Sequence, residues 1–156
     1  MNSYLFFKWI HVISSVLLVG TGFGSAHAMF LANRSGSVAA QAVVSRIVVR
    51  ADWWFTAPAA IAQPVTGLWL AQQSGWPIAT PWIAWSWVLY LLAGACWLPV
   101  VWLQLRMAQM AQQALQRGST LAPSYARYSR RWEYLGYPAF AAMGVVYYLM
   151  VVKPAL

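Results

Sequence analysis

Two histidines, the lysine close to one of them and two acids are the residues through which this chain could do chemistry. His11 follows Lys8 in the run Phe7-Lys8-Trp9-Ile10-His11, and His27 stands sixteen residues further on. All three lie in one apolar stretch, where a bilayer tolerates ionisable groups poorly and tends to keep them for function. A neutral imidazole in such a setting is a natural axial ligand for haem iron. Lys8, on the same helical face as His11, could pair with a haem propionate or a quinone oxygen. Met150, at similar depth in the last apolar stretch, is a candidate sixth ligand, with Met143 a deeper alternative. The opposing reading makes His11 a helix-packing hydrogen bonder and Lys8 a snorkelling side chain. His11 and His27 cannot share one metal, since sixteen residues of helix separate them by about 24 Å. His27 falls level with Asp52, Glu133 and Arg131, a polar group that could serve a propionate, a proton or a quinone headgroup. The same group could simply neutralise charge at the interface, with Arg50 or Arg131 pairing the acids.

The elements that must hold these residues are apolar helices. Hydrophobic residues make up 62% of the 156-residue chain and charged residues 8%, far below the roughly 25% charged of soluble domains. The expectation is a single all-α domain, a polytopic four-helix transmembrane bundle. Its spans are about 4–31, 53–71, 82–107 and 134–152, the third extended by a polar helix to Gln116. The loop after the first span carries Arg34, Arg46 and Arg50. The loop after the third carries Arg117, Arg127, Arg130 and Arg131, with Arg106 at its edge, while the 72–81 turn is uncharged. Positive charge marks the cytoplasmic side, so both termini are expected outside, in a bacterial cytoplasmic membrane. The net charge of +8 is thereby assigned to topology rather than to nucleic acid. Ala26-His27-Ala28 imitates a signal-peptide cleavage site, but the apolar run is long enough to span.

Eleven tryptophans suit interfacial anchoring, with Trp76, Trp82, Trp85 and Trp87 at one face and Trp53, Trp54 and Trp132 at the other. Trp69, Trp97 and Trp102 lie deeper and could wall a flat aromatic ligand. Pro58, Pro64, Pro99 and Pro138 interrupt three spans, each freeing a carbonyl; Gln63 is the expected donor beside Pro64. Gly20-Thr21-Gly22-Phe23-Gly24-Ser25 lies within a helix and so is no dinucleotide loop; close helix packing is its expected use, with space beside a ligand as the alternative. Cys96 is the sole cysteine, which excludes an intramolecular disulfide and C-x-x-C-H haem attachment. No Walker loop, zinc spacing or nucleophile elbow occurs.

The Lys8-x-x-His11 opening, with Arg50…Thr56-Ala57-Pro58 and Arg131…Pro138 after it, resembles the HemJ-type protoporphyrinogen oxidases, four-helix membrane proteins that bind haem b. A closer resemblance, over nearly the whole chain, is to the bacterial membrane family called domain of unknown function 2269. It is carried by Asp52-Trp53-Trp54-Phe55-Thr56-Ala57-Pro58, Gln63-Pro64-Val65-Thr66-Gly67, Cys96-Trp97-Leu98-Pro99-Val100, Gly136-Tyr137-Pro138-Ala139-Phe140 and Leu149-Met150-Val151-Val152-Lys153-Pro154. The first resemblance implies haem b on His11, with quinone as an electron acceptor. It weakens where Trp82-Ile83-Ala84-Trp85-Ser86-Trp87 and Glu133-Tyr134-Leu135-Gly136-Tyr137 replace polar elements of the oxidases. Against a haem-binding oxidoreductase stands a non-catalytic membrane subunit or small transporter-like bundle, acting through a homo-oligomer or a membrane partner. Copper handling is disfavoured by scattered methionines and the lack of a Met/His-rich surface segment.

Overall fold

A computed structural model describes residues 2–154. It is all helical: α1 (Ser3–Arg34), α2 (Val38–Ala51), a π-helical turn (Asp52–Thr56), α3 (Ala57–Gln73), α4 (Pro81–Gln116) and α5 (Pro123–Val152). Three of these, α1, α4 and α5, are long and apolar enough to cross a membrane. The chain is therefore an integral membrane protein by length and composition. α3 has 17 residues and continues in line from α2 through the π-turn.

The helices run past the apolar stretches for local reasons. The Asn2 side chain accepts from Tyr4 N–H at the start of α1, and Ser37 accepts from Ala40 N–H at the start of α2, each supplying a first-turn amide with its missing partner. α2 occupies most of the segment read from sequence as a basic loop. α5 begins eleven residues ahead of the apolar run expected at Tyr134, with Pro in its first turn, where the missing N–H costs nothing. Arg127, Arg130 and Arg131 thus sit on helix.

Helix α1 packs along α3, and α4 along α5; α2 crosses between α1 and α4 at the arginine-bearing end. There the core gathers Met29, Val48, Leu103, Met107 and Trp132. A polar lattice ties the same end together. Asn33 donates to Ser129 and accepts from Tyr125 Oη at 2.7 Å, and Gln112 accepts from Arg46 while donating to the Ala42 carbonyl. Arg34 forks onto Glu133 at 3.2 and 3.3 Å, the one ion pair among the described residues. Neither Arg50 nor Arg131, the partners anticipated from sequence, takes that role. At the opposite end, carrying both termini, α1 and α5 touch little, and the two helix pairs part.

The expected small-residue packing is not what the glycines of α1 do. A methyl group at Gly20 or Gly24 would meet nothing within 4 Å, and one at Gly22 would only reach Phe140 at 3.9 Å.

In the π-turn, Ala57 N–H bonds back to the Asp52 carbonyl, and Pro58, one residue on, brings no N–H to the helical ladder.

Candidate functional site

Where the helix pairs part, a cavity of about 280 Å³ opens, lined by Lys8, His11, Gln63, Gly67, Met143, Met150 and Lys153 among others. The volume falls just under the roughly 300–1,000 Å³ of small-ligand sites. Its α1 wall (Lys8, His11, Val12) faces its α5 wall (Met143, Val146, Met150) across the side where those helices scarcely touch. The residues expected at one site from sequence, Lys8, His11, Met150 and the alternative Met143, are all here. His27 and Arg131 are not; both are exposed at the arginine-bearing end, about 24 Å of helix from His11 in the case of His27.

His11 is fixed by α3. Its Nδ1 lies 2.7 Å from Thr66 Oγ1. That hydroxyl has two helix carbonyls to donate to, Ala62 at 2.6 Å and Gln63 at 3.3 Å; with its one hydrogen used there, Thr66 accepts and His11 Nδ1 carries the proton. Nε2 is then left with its lone pair, and no described group hydrogen-bonds it. The tautomer follows from hydrogen-bond counting. Gly67 makes room for this arrangement, because a Cβ there would stand 3.2 Å from His11 Cε1.

Gln63 locks the same stretch of α1. Its Nε2 donates to the His11 carbonyl and to Ser14 Oγ, both at 2.6 Å, and Ser14 in turn donates to the His11 carbonyl at 3.1 Å. Gln63 is therefore not the donor that answers Pro64. Pro64 frees the carbonyl four residues back, that of Ala60, and Tyr90 Oη of α4 donates to it at 2.6 Å. The proline thereby creates the acceptor that ties α3 to α4 across the back of the cavity. Nothing in local sequence announces Tyr90; only the free carbonyl of Ala60 hints that a donor must come from elsewhere.

The aromatic walls also differ from expectation. Trp76, Trp82 and Trp87, read as interfacial anchors, line the cavity, with Trp76 edge-on to Trp82 at 5.8 Å. Of the deeper three, Trp69 stacks on Phe7 at 4.2 Å, Trp102 meets Tyr128 edge-on and Trp97 packs on the arginine-end core. Trp132 is buried in that core.

Two cations stand at the cavity's rim. Lys8 Nζ lies 6.0 Å from the Tyr4 ring centroid, and Lys153 Nζ lies 5.5 Å from that of Trp82. Lys153 takes a left-handed conformation, φ 47°, at the end of α5, where its N–H caps the Leu149 carbonyl. No group of three or more His, Cys, Asp or Glu that could hold a bare metal ion occurs among the described residues. The site offers one imidazole lone pair, thioethers opposite it and ammonium groups at the rim.

The chain belongs to the family described as predicted integral membrane protein (DUF2269), whose model matches residues 5–154. No curated protein and no solved structure matches it.

Proposed function

We propose that this member of the family binds haem b in the cavity between its helix pairs, where His11 Nε2 would hold the iron. The observation carrying this reading is the 2.7 Å contact of His11 Nδ1 with Thr66 Oγ1 at the cavity wall. With Thr66 accepting, Nδ1 donates its hydrogen and Nε2 keeps its lone pair, which is how proteins orient ligating histidines. The residues present suit the group. Gly67 keeps the ring's flank clear, Met150 and Met143 supply thioether sulfur on the far wall, and Lys8 and Lys153 supply cations for propionates. The cavity is partly open, so its occupant can be larger than the enclosed volume. When bound, haem supplies one-electron chemistry. The chain's own residues hold and orient: Thr66 fixes the imidazole plane, and Gln63 fixes the backbone that carries it. Quinone from the surrounding lipid is the acceptor class suited to such a site, and a porphyrin-type substrate the donor class.

The same reading takes α1, the α2–α3 run, α4 and α5 as four crossings of a bacterial cytoplasmic membrane. Arg34, Arg46, Arg50, Arg106, Arg117, Arg127, Arg130 and Arg131 then lie inside, and both termini and the cavity lie toward the outer face.

The test is the absorption spectrum of the full chain purified in mild detergent, oxidised and reduced, beside His11→Ala and Thr66→Val. A Soret band with reduced b-type peaks, abolished by His11→Ala and weakened by Thr66→Val, is the expected result. Loss of a second-sphere partner typically costs 10–100-fold in affinity. A chain that stays colourless after haem supplementation overturns the proposal and leaves a non-catalytic membrane subunit as the reading.

A further inference from the structure

A second polar group lies at the other end of the bundle, and the cavity makes no use of it. Asp52, Thr56 and Gln104 are 5%, 4% and 5% exposed. Thr56 and Gln104 are the side chains that approach the Asp52 carboxyl. Yet Asp52 Oδ2, Thr56 Oγ1 and Gln104 Oε1 complete no hydrogen bond, and neither does Trp132 Nε1 in the same core. Buried orphans of this kind are rare in native proteins and call for a specific explanation.

No cation explains this one. The chain has ten Lys and Arg residues, but the only ion pair among the described residues takes Arg34 to Glu133. On α1, His27 is exposed. On α2, Arg46 is bonded to Gln112 and Arg50 is exposed. On α4, Arg106 is exposed and turned toward Gln109 and Trp102; on α5, Arg131 is exposed. None of them hydrogen-bonds Asp52. A bound metal cation would find three side-chain oxygens, short of the six or more that hard cations require. The orphan indole N–H of Trp132 offers such an ion nothing.

One proton resolves most of the mismatch. An ionised carboxylate and Gln104 Oε1 are both acceptors, and the Thr56 hydroxyl brings one hydrogen for the two of them. A hydrogen on Asp52 Oδ2 turns that oxygen into a donor with Gln104 Oε1 as its acceptor, and leaves the Thr56 hydroxyl to donate to the carboxyl. A neutral acid also avoids burying an unpaired charge. The π-turn is the device that delivers the carboxyl: Asp52 opens it, and the added backbone width is of the kind that recurs at functional sites.

We propose that Asp52 is a proton-binding site, filled at neutral pH, with Gln104 Oε1 as the acceptor of its hydrogen. The site is independent of the cavity and of any ligand there. Binding takes one proton from water onto a carboxylate oxygen and changes no other bond.

The chain contains a single aspartate, so the test needs no substitution. The full-length protein, made by cell-free synthesis with aspartate ¹³C-labelled at the side-chain carboxyl and unlabelled asparagine in excess, gives one resonance in a ¹³C spectrum recorded in mild detergent. At pH 7 that resonance is expected at the position of a protonated acid, unchanged by replacing potassium with sodium. A resonance at the ionised position overturns the proposal and means that Gln104 presents its N–H₂ instead. A resonance that moves to the ionised position when sodium is added overturns it in favour of a cation site.

Discussion

Tyr90→Phe removes one oxygen from the wall of the cavity and should cost far more than a surface hydroxyl. Its phenol is the donor to the Ala60 carbonyl, which Pro64 deprives of its helical partner. Without Tyr90 that carbonyl sits unbonded in an apolar setting, a penalty of about 1–3 kcal/mol. The penalty exists only because residue 64 is a proline. Pro64→Ala restores an N–H that can close the bond to Ala60, so the tyrosine becomes dispensable in that background. A double-mutant cycle of Tyr90→Phe and Pro64→Ala should therefore show coupling of about 1–3 kcal/mol, with the double variant more stable than the tyrosine variant's loss alone would suggest. Stability is read as the unfolding midpoint in mixed micelles titrated with a denaturing detergent. Additive effects of the two changes would refute the reasoning, because the phenol would then be doing something other than answering the proline.

Gly67→Ala places a methyl group 3.2 Å from His11 Cε1 and should displace the ring from Thr66; ¹⁵N spectra of labelled histidine would show loss of the Nδ1–H form of one of the two histidines. Arg34→Ala should change stability by less than about 1 kcal/mol, because its guanidinium is 54% exposed where it meets Glu133 and such pairs are screened by water. Tyr125→Phe removes the donor to Asn33 Oδ1 and should lower stability by about 0.5–1.5 kcal/mol, seen as a lower thermal unfolding midpoint.

Hydropathy made the long helices legible, because lipid imposes on sequence a length and an apolarity that no other setting demands. The same logic found Lys8 and His11 as one group, since charge inside an apolar run stands out. The partners of His11 were harder to see. Gln63 and Thr66 lie 52 and 55 residues away, and which turn of α3 faces α1 depends on packing, not on local pattern. α2 was legible in part: Ser37 is a helix-capping residue at the right place, but Arg46 and Arg50 made the segment look like a connecting loop. The π-turn could not be anticipated from Pro58 alone, which an ordinary helix accepts within its first turn. The outer tryptophans show the limit of composition most clearly. An indole suits an interface and a ligand wall equally well, and only the parting of the helix pairs separates Trp82 from Trp85, which is 55% exposed.

The cavity lies between an α1 wall and an α5 wall that barely touch. A ligand entering between those two walls would arrive from the hydrocarbon and not from water. Its effective concentration is then set by how it partitions, and each further methylene in its tail enriches it about fourfold, at about 0.8 kcal/mol per buried CH₂. Occupancy should follow ligand per lipid, so that diluting the sample at a fixed lipid ratio leaves the site as full as before, while adding empty vesicles drains it.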